Sequence, residues 1–378
     1  MQLIERSRCA ISGQDDLEPL YTFPKFPVFM GCMDQPETDD LKQDMAWWIS
    51  RGSGLIQLKN LLPLDVLYPE SHGSGAIGAL WEKHHRTFAQ FIHRLNPSSV
   101  LEIGGGHGML AKEYQSLADI PWTILEPNPS PVEGLKARII KGFFDERFTF
   151  SDSFDVLAHS HVFEHIYEPD QFMGQLSHFM KVGQHLVFSL PNMQVMLERQ
   201  YNNCINFEHT VLLTETYVEH LLAKHGFRVH AKEFFMDDHS IFYDAVRDDT
   251  MKPMALPSGL YDSYKNLYLG YVGHHQKLAS ELNETIRGLS GPVYLFGAHV
   301  FSQYMLAFGL DESKITCLLD NDPNKQGRRL YGTSLGVKSP SCLKSVDKPH
   351  VILKAGVYNQ EIKNDILKNI NPHTVFLG

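Results

Sequence analysis

Apolar residues along this chain fall into short runs separated by longer stretches, the alternation of strand and helix expected of an α/β sheet. Val100, Leu101 and Ile103 form one such run, too short for a helix and suited to a buried parallel strand. Gly104, Gly106 and Gly108 follow at once, and glycine permits the backbone angles and close approach that a strand-to-helix turn around a ligand needs. Further strands are expected near residues 121–126, 138–142, 153–159 and 184–190, with helices between them. A last pair, near 228–235 and 239–247, is separated by Met236-Asp237-Asp238, a turn-like interruption that makes the final strand antiparallel. The stretch carrying Trp81, His84, His85, Phe88 and Phe91 predicts a helix. Its adjacent histidines point in different directions, against a shared ligand role.

Residues 1–75 are rich in Pro, Gly and short aromatic runs and show no long helical period. Tyr21 to Phe29, with Pro24 and Pro27, reads as irregular or edge-strand structure, since each proline removes a ladder donor. Residues 251–378 open with the proline-containing linker Lys252 to Gly259, then a helical stretch to about Gly288. Short apolar runs at Val293-Tyr294-Leu295-Phe296, Ile315 to Leu319, Val351-Ile352-Leu353 and Val375-Phe376-Leu377 complete a second parallel-sheet pattern. The expected organisation is therefore a small module over 1–75, an α/β domain over 76–250 and a second α/β domain over 251–378.

At 378 residues the chain is too long for one ordinary core, and 43% hydrophobic with 21% charged residues is a usual globular balance. A net charge of −10 argues against nucleic-acid partners, which call for a basic face. No apolar run approaches a membrane span, the N-terminus has no signal-peptide core, and Cys9, Cys32, Cys204, Cys317 and Cys342 make no disulfide framework. The expectation is a cytoplasmic protein with a small-molecule substrate.

Free N–H groups at the glycine loop and the following helix start would meet polar or anionic parts of a ligand. Gly106-x-Gly108-x-x-Ala111 satisfies the dinucleotide fingerprint. Against a nicotinamide cofactor, Glu102 lies inside the strand end, where such a strand stays apolar. The pattern Glu102-x-Gly104-x-Gly106-x-Gly108 resembles instead the first motif of class I S-adenosylmethionine (SAM) methyltransferases. That resemblance implies a Rossmann-like fold, SAM as cofactor, Glu102 facing its methionine end, and Gly104, Gly106 and Gly108 around it. A second acid is wanted at the next strand tip, where Glu126 is placed to hold two ribose hydroxyls.

The densest cluster of functional side chains is Phe154 to Ile166. His161-x-x-Glu164-His165 matches a metalloprotease pattern that needs a long helix, but here it follows a strand and Pro169 soon interrupts. In the methyltransferases this strand end borders the sulfonium and the substrate, which makes His161 a cofactor contact and His165 a catalytic candidate.

The order of small module, SAM domain and C-terminal α/β domain is similar to that of nucleotide-sugar C-methyltransferases. Their N-terminal module holds zinc with two Cys-x-x-Cys pairs, which would fall at Cys9 and Ser12 and at Ser50 and Ser53. Serine is a poor zinc ligand, so no structural zinc, and no metal elsewhere, is expected. The resemblance places the segment of Tyr68 and His72 over the active site, Tyr68 as a catalytic and His72 as a substrate contact. It also aligns the family's Tyr-His-Glu-His with Asn206, Phe207, Glu208 and His209. Glu208 and His209 keep the last two members, and a carboxylate beside an imidazole suits a general base. His209 is the first choice for that base and His165 the second. Loss of the tyrosine leaves carbon or oxygen as methyl acceptor. Asn206 and Lys325 are implied substrate contacts, the latter downstream of Asp320-Asn321-Asp322-Pro323 in the domain that holds the nucleotide end. The expected function is methyl transfer from SAM to an activated, nucleotide-linked sugar. The alternatives are O-methylation of a hexose or heptose derivative and a non-catalytic nucleotide-sugar-binding protein.

Overall fold

The computed structural model describes residues 2–68 and 78–377. The chain divides into two compact units: residues 1–19, 48–196 and 207–264 form unit 1, and residues 20–47, 197–206 and 265–378 form unit 2. Of the first 75 residues, the described parts of 1–19 and 48–68 thus belong to one unit and 20–47 to the other.

Unit 1 is built on helix α1 (Ala79–His93), strand β1 (Val100–Ile103), α2 (Met109–Tyr114), β2 (Trp122–Glu126), β3 (Arg138–Lys141), β4 (Val156–Ser160), α3 (Pro169–Phe179), β5 (His185–Pro191), α4 (Glu215–Lys224), β6 (Phe227–Phe235) and β7 (Ser240–Arg247). The strands form one seven-stranded sheet in the order β6-β7-β5-β4-β1-β2-β3. β1 runs parallel to both β2 and β4, while β7 is antiparallel to β5 and β6. The reversal at β7 comes from Met236 and Asp237, whose φ values of 52° and 53° make the tight turn a right-twisted strand pair needs. Alternation along each strand sends one set of side chains to each face. Val100, Ile124, Val156, Ala158 and Val187 meet Phe88, Phe91 and Ile92 of α1 and Leu110, Ala111 and Tyr114 of α2 in one continuous core. Because β1 lies where the strand order reverses, the crevice beyond its carboxyl end is the ligand position of an open α/β sheet.

The N-terminal part of unit 1 brings Cys9, Ser12, Ser50 and Ser53 together. Cys9 Sγ lies 3.2 Å from Ser53 Oγ, the Ser12 amide donates to Cys9 Sγ, and Ser50 Oγ donates to Asp16 at 3.0 Å. Hydrogen bonds and the buried Ile11, Ile49, Leu55 and Ile56 hold these two turns.

Unit 2 contains most of α5 (Leu260–Arg287), then β8 (Val293–Phe296), α6 (Val300–Ala307), β9 (Ile315–Leu319), β10 (Val337–Lys338), β11 (His350–Ile352) and β12 (Val375–Leu377). Its sheet is parallel throughout, in the order β10-β9-β8-β11-β12. Tyr294, Phe296, Cys317, Leu319 and Val351 form its core with Leu343, Ile362 and Ile366. Leu17–Pro27, which contains the proline-rich aromatic run, is a strand in spite of Pro19 and Pro24, and Phe23 and Phe26 on it are buried.

Candidate active site

The glycine loop after β1 has the shape of a cofactor cradle. Gly104, Gly106 and Gly108 all have positive φ, between 51° and 75°, a region that disfavours any side chain. A Cβ on Gly104 would lie 2.6 Å from Val162, and one on Gly108 2.5 Å from Leu135, whereas one on Gly106 would meet nothing within 4 Å. The loop is therefore packed from below and open at its middle. Its Gly106 amide donates to Glu126 Oε2 at 2.9 Å, and Glu126 Oε1 accepts from the Asn128 amide at 3.0 Å. A carboxylate has about four acceptor positions, so Glu126 keeps capacity for two hydroxyl donors. Glu102 sits under the loop, buried, and accepts from Trp122 Nε1 at 2.7 Å. Burial pushes its carboxyl up to about 7, against the pull of the Trp122 N–H.

Beyond β4 the chain turns sharply. His161 takes φ 52°, and Phe163–His165 is a single 3₁₀ turn. His161 and His165 therefore do not share a helical face, as a zinc-hydrolase helix would require. His165 Nδ1 lies 3.2 Å from the Tyr68 hydroxyl and 3.8 Å from Glu208 Oε2, and its ring centroid is 5.0 Å from that of His209. Glu164, His165 and His209 each offer a ligand atom within 4.8 Å of the others. Burial lowers the His165 imidazole to about 4, with Glu164 opposing, so it is neutral at pH 7 and able to accept a proton. Burial likewise raises the Tyr68 phenol, with the Glu208 charge adding to the effect, so it is a hydrogen-bond donor and not a phenolate.

Glu208 and His209 are placed by residues that carry no functional signature in the sequence. The guanidinium of Arg6, buried, donates to the Thr210 carbonyl at 2.7 Å and to the Tyr167 carbonyl. Leu58 N donates to Thr210 O at 2.9 Å, and Leu212 N to Ile56 O at the same distance. The segment after His209 is thus zipped to an N-terminal strand and fixed next to the turn that holds His165. Of the other expected site residues, His72 lies outside the described residues. Asn206 and Lys325 belong to unit 2, where the Asn206 side chain donates to Asn203 O and Lys325 Nζ lies 3.1 Å from Asp320 Oδ2.

Residues 80–232 match the family model described as "Methyltransferase domain". This region is a methyltransferase domain. It spans from α1 into β6 and contains the glycine loop, Glu126 and the His161–His165 turn. Among solved structures it is similar to an O-methyltransferase family protein from Burkholderia thailandensis, at 12% identity over 45% of this chain and 57% of that one, with TM-score 0.37. It is similar to the mitomycin 7-O-methyltransferase MmcR at 17% identity over 43% of this chain and 54% of that one, TM-score 0.36. The PH0226 protein from Pyrococcus horikoshii OT3 is similar at 15% identity over 49% of this chain and 98% of that one, TM-score 0.37. The chain thus spans little more than half the length of the first two. No curated protein sequence matches it.

Proposed function

We propose that this enzyme transfers the methyl group of SAM to an activated, nucleotide-linked sugar, with His209 as general base and His165 beside it. The observation that carries the mechanism is the cluster of Tyr68, His165, Glu208 and His209, in the same unit as the open glycine loop. When bound, SAM supplies a methyl already activated by its sulfonium charge, so the protein has to align the acceptor and remove one proton. Glu208, whose Oε2 lies 3.8 Å from His165 Nδ1, is the carboxylate of this cluster. The Tyr68 hydroxyl would steady His165 and an anionic acceptor oxygen. This phenol offers the hydroxyl that Asn206 lacks. The set suits removal of a proton from a sugar hydroxyl or from a carbon next to a ketone.

The sugar reading draws on the chain-wide resemblance in domain order and on Glu208-His209, with Asn206 and Lys325 as its candidate contacts in unit 2 and His72 in the stretch after Tyr68. Incubation with methyl-labelled SAM and a panel of nucleotide sugars, 4-keto forms included, tests it. Label on a sugar is the expected result, and its position on carbon or oxygen identifies the acceptor. Transfer only to an unrelated small hydroxyl compound would overturn the substrate assignment. His209→Ala should lower kcat at least about 100-fold with SAM affinity unchanged, the range a positioned base supplies. Unaltered turnover would remove the mechanism.

A further inference from the structure

His84 on α1, His161 just after β4 and His239 just before β7 belong to three separate segments of unit 1, and one ligand nitrogen of each lies within 4.8 Å of the others. The ring centroids are 5.1 Å apart for His84 and His161, 5.6 Å for His84 and His239, and 6.1 Å for His161 and His239. Three imidazoles on one tetrahedral ion, each nitrogen about 2.1 Å from it, place their centroids about 5 Å apart. The trio of His185, His230 and Asp244 is instead closed by hydrogen bonds. His185 Nδ1 and His230 Nδ1 stand 2.6 and 2.7 Å from the Asp244 carboxylate oxygens, which is hydrogen-bond length. Two ligand atoms on one zinc are about 3.3 Å apart.

Four further observations point to a ligand at the histidine trio. Both nitrogens of His84, a completely buried side chain, have no hydrogen-bond partner among the described residues, and its ring is walled by Trp81, Phe88, Phe235 and Phe242. Aromatic walls supply no such partner, and a buried polar group left unsatisfied is costly. Next, His161 Nδ1 lies 3.0 Å from Glu164 Oε1, on a buried carboxylate with no hydrogen-bond partner among the described residues. A carboxylate behind a ligating imidazole is the usual outer support of a histidine metal site. Third, the left-handed backbone at His161, unusual for a residue with a side chain, costs of order 1–3 kcal/mol and persists only where the surroundings impose it. Finally, Ser240 Oγ stands 2.9 Å from His161 Nε2 and 2.6 Å from His239 Nδ1. Bridging by Ser240 serves two of the rings and leaves His84 unsatisfied, whereas an ion serves all three.

We propose that His84, His161 and His239 bind one borderline divalent transition-metal ion of the zinc class, with the fourth position left to water. The ion ties α1 and the β6–β7 turn to the end of β4, one residue from Val162, whose side chain packs beneath Gly104 of the cofactor loop. The sequence argument against paired ligation by His84 and His85 is consistent with this, because His84 ligates with residues distant in the chain.

Titration of the chelator-stripped full chain with Zn2+ by calorimetry, and with Co2+ by visible spectroscopy, tests the site without any methyl acceptor. The expected result is one tight equivalent, with the intense visible bands of tetrahedral cobalt. His239→Gln, on a turn, should weaken Zn2+ at least about 100-fold, Glu164→Gln about 10-fold, and His230→Ala not at all. Retained SAM binding in each variant shows that the fold persists. The proposal is overturned if the wild-type chain takes up no metal, if His239→Gln binds Zn2+ as tightly as wild type, or if the equivalent disappears with His209→Ala instead. Any of these leaves the methyl-transfer reading standing, since none of them measures turnover.

Discussion

Two strand–turn–helix–strand segments, one in each unit, are built to the same plan and end differently. After β1, Gly104 N donates to Leu125 O on β2 at 2.8 Å; after β8, Gly297 N donates to Leu319 O on β9 at 2.8 Å. In unit 1 the acid ending β2, Glu126, accepts from Gly106 N at 2.9 Å, and in unit 2 the acid just after β9, Asp320, accepts from Ala298 N at 2.9 Å. There the likeness stops. Asp320 also takes the Asp322 amide at 2.9 Å and the Lys325 ammonium at 3.1 Å. His299 occupies the start of α6, its imidazole accepting from Phe301 N, and a Cβ on Gly297 would meet that imidazole at 3.1 Å. Unit 1 has no cation on Glu126 among the described residues, and the middle of its turn is open. The same topology thus gives a ligand cradle where donors and acid are left available and a self-satisfied turn where they are not, which is why a function has to be argued from the site.

The sharpest way to break this comparison is to put a methyl group on each turn. Gly104→Ala forces a Cβ against Val162 in a left-handed backbone and should weaken SAM at least about 100-fold by calorimetry. Gly297→Ala should leave SAM affinity within about threefold. Equal losses in the two variants would show that the turns are not functionally distinct.

A second difference lies one step earlier on each strand, where unit 1 has Glu102 and unit 2 the buried Leu295. Burial raises the Glu102 carboxyl from 4.5 to about 7, so the folded chain binds this proton more tightly than the unfolded one. Stability without SAM should therefore be highest below about pH 4.5, as far as this group decides it, and fall as pH rises to about 7, by an amount on the order of 3 kcal/mol. Glu102→Gln keeps an acceptor for Trp122 and should remove that fall. Urea unfolding of both proteins at pH 5 and pH 8 measures it, and identical pH slopes would rule the effect out.

The acids themselves should separate affinity from stability. Glu126→Ala is expected to raise the SAM Kd about 30-fold, or about 2 kcal/mol for two charge-assisted hydrogen bonds. Asp320→Ala should instead cost about 2 kcal/mol of unfolding free energy, because three donors lose their acceptor, with SAM affinity unchanged. The smallest change is Lys325→Met, whose partly exposed ion pair contributes under about 1 kcal/mol. A large loss of turnover from Lys325→Met, without loss of stability, would mark Lys325 as a substrate contact and not merely a neutraliser of Asp320.

Local pattern carried far into this protein. The apolar runs placed the seven strands of the large unit 1 sheet to within a few residues, the antiparallel β7 and the long α5, because strand and helix periods are written in consecutive positions. The glycine spacing marked the left-handed turn between β1 and α2 for the same reason. The N-terminal segment was legible in part: the proline-rich run that reads as irregular or edge strand lies largely within a strand at a sheet edge, where the ladder donors that proline removes are not all needed.

What the amino-acid order settled alone is therefore the α/β class and a glycine loop between strand and helix, with Glu102 before it and Glu126 at the next strand end. Folding decided which side chains meet. Arg6 reaches Tyr167 and Thr210, Tyr68 reaches His165, and His84 reaches His161 and His239 only because strands and turns far apart in the chain are brought to one edge of the sheet. No periodicity encodes such meetings. They depend on register, on the left-handed turn at His161 and on burial, and these exist only once the core has closed.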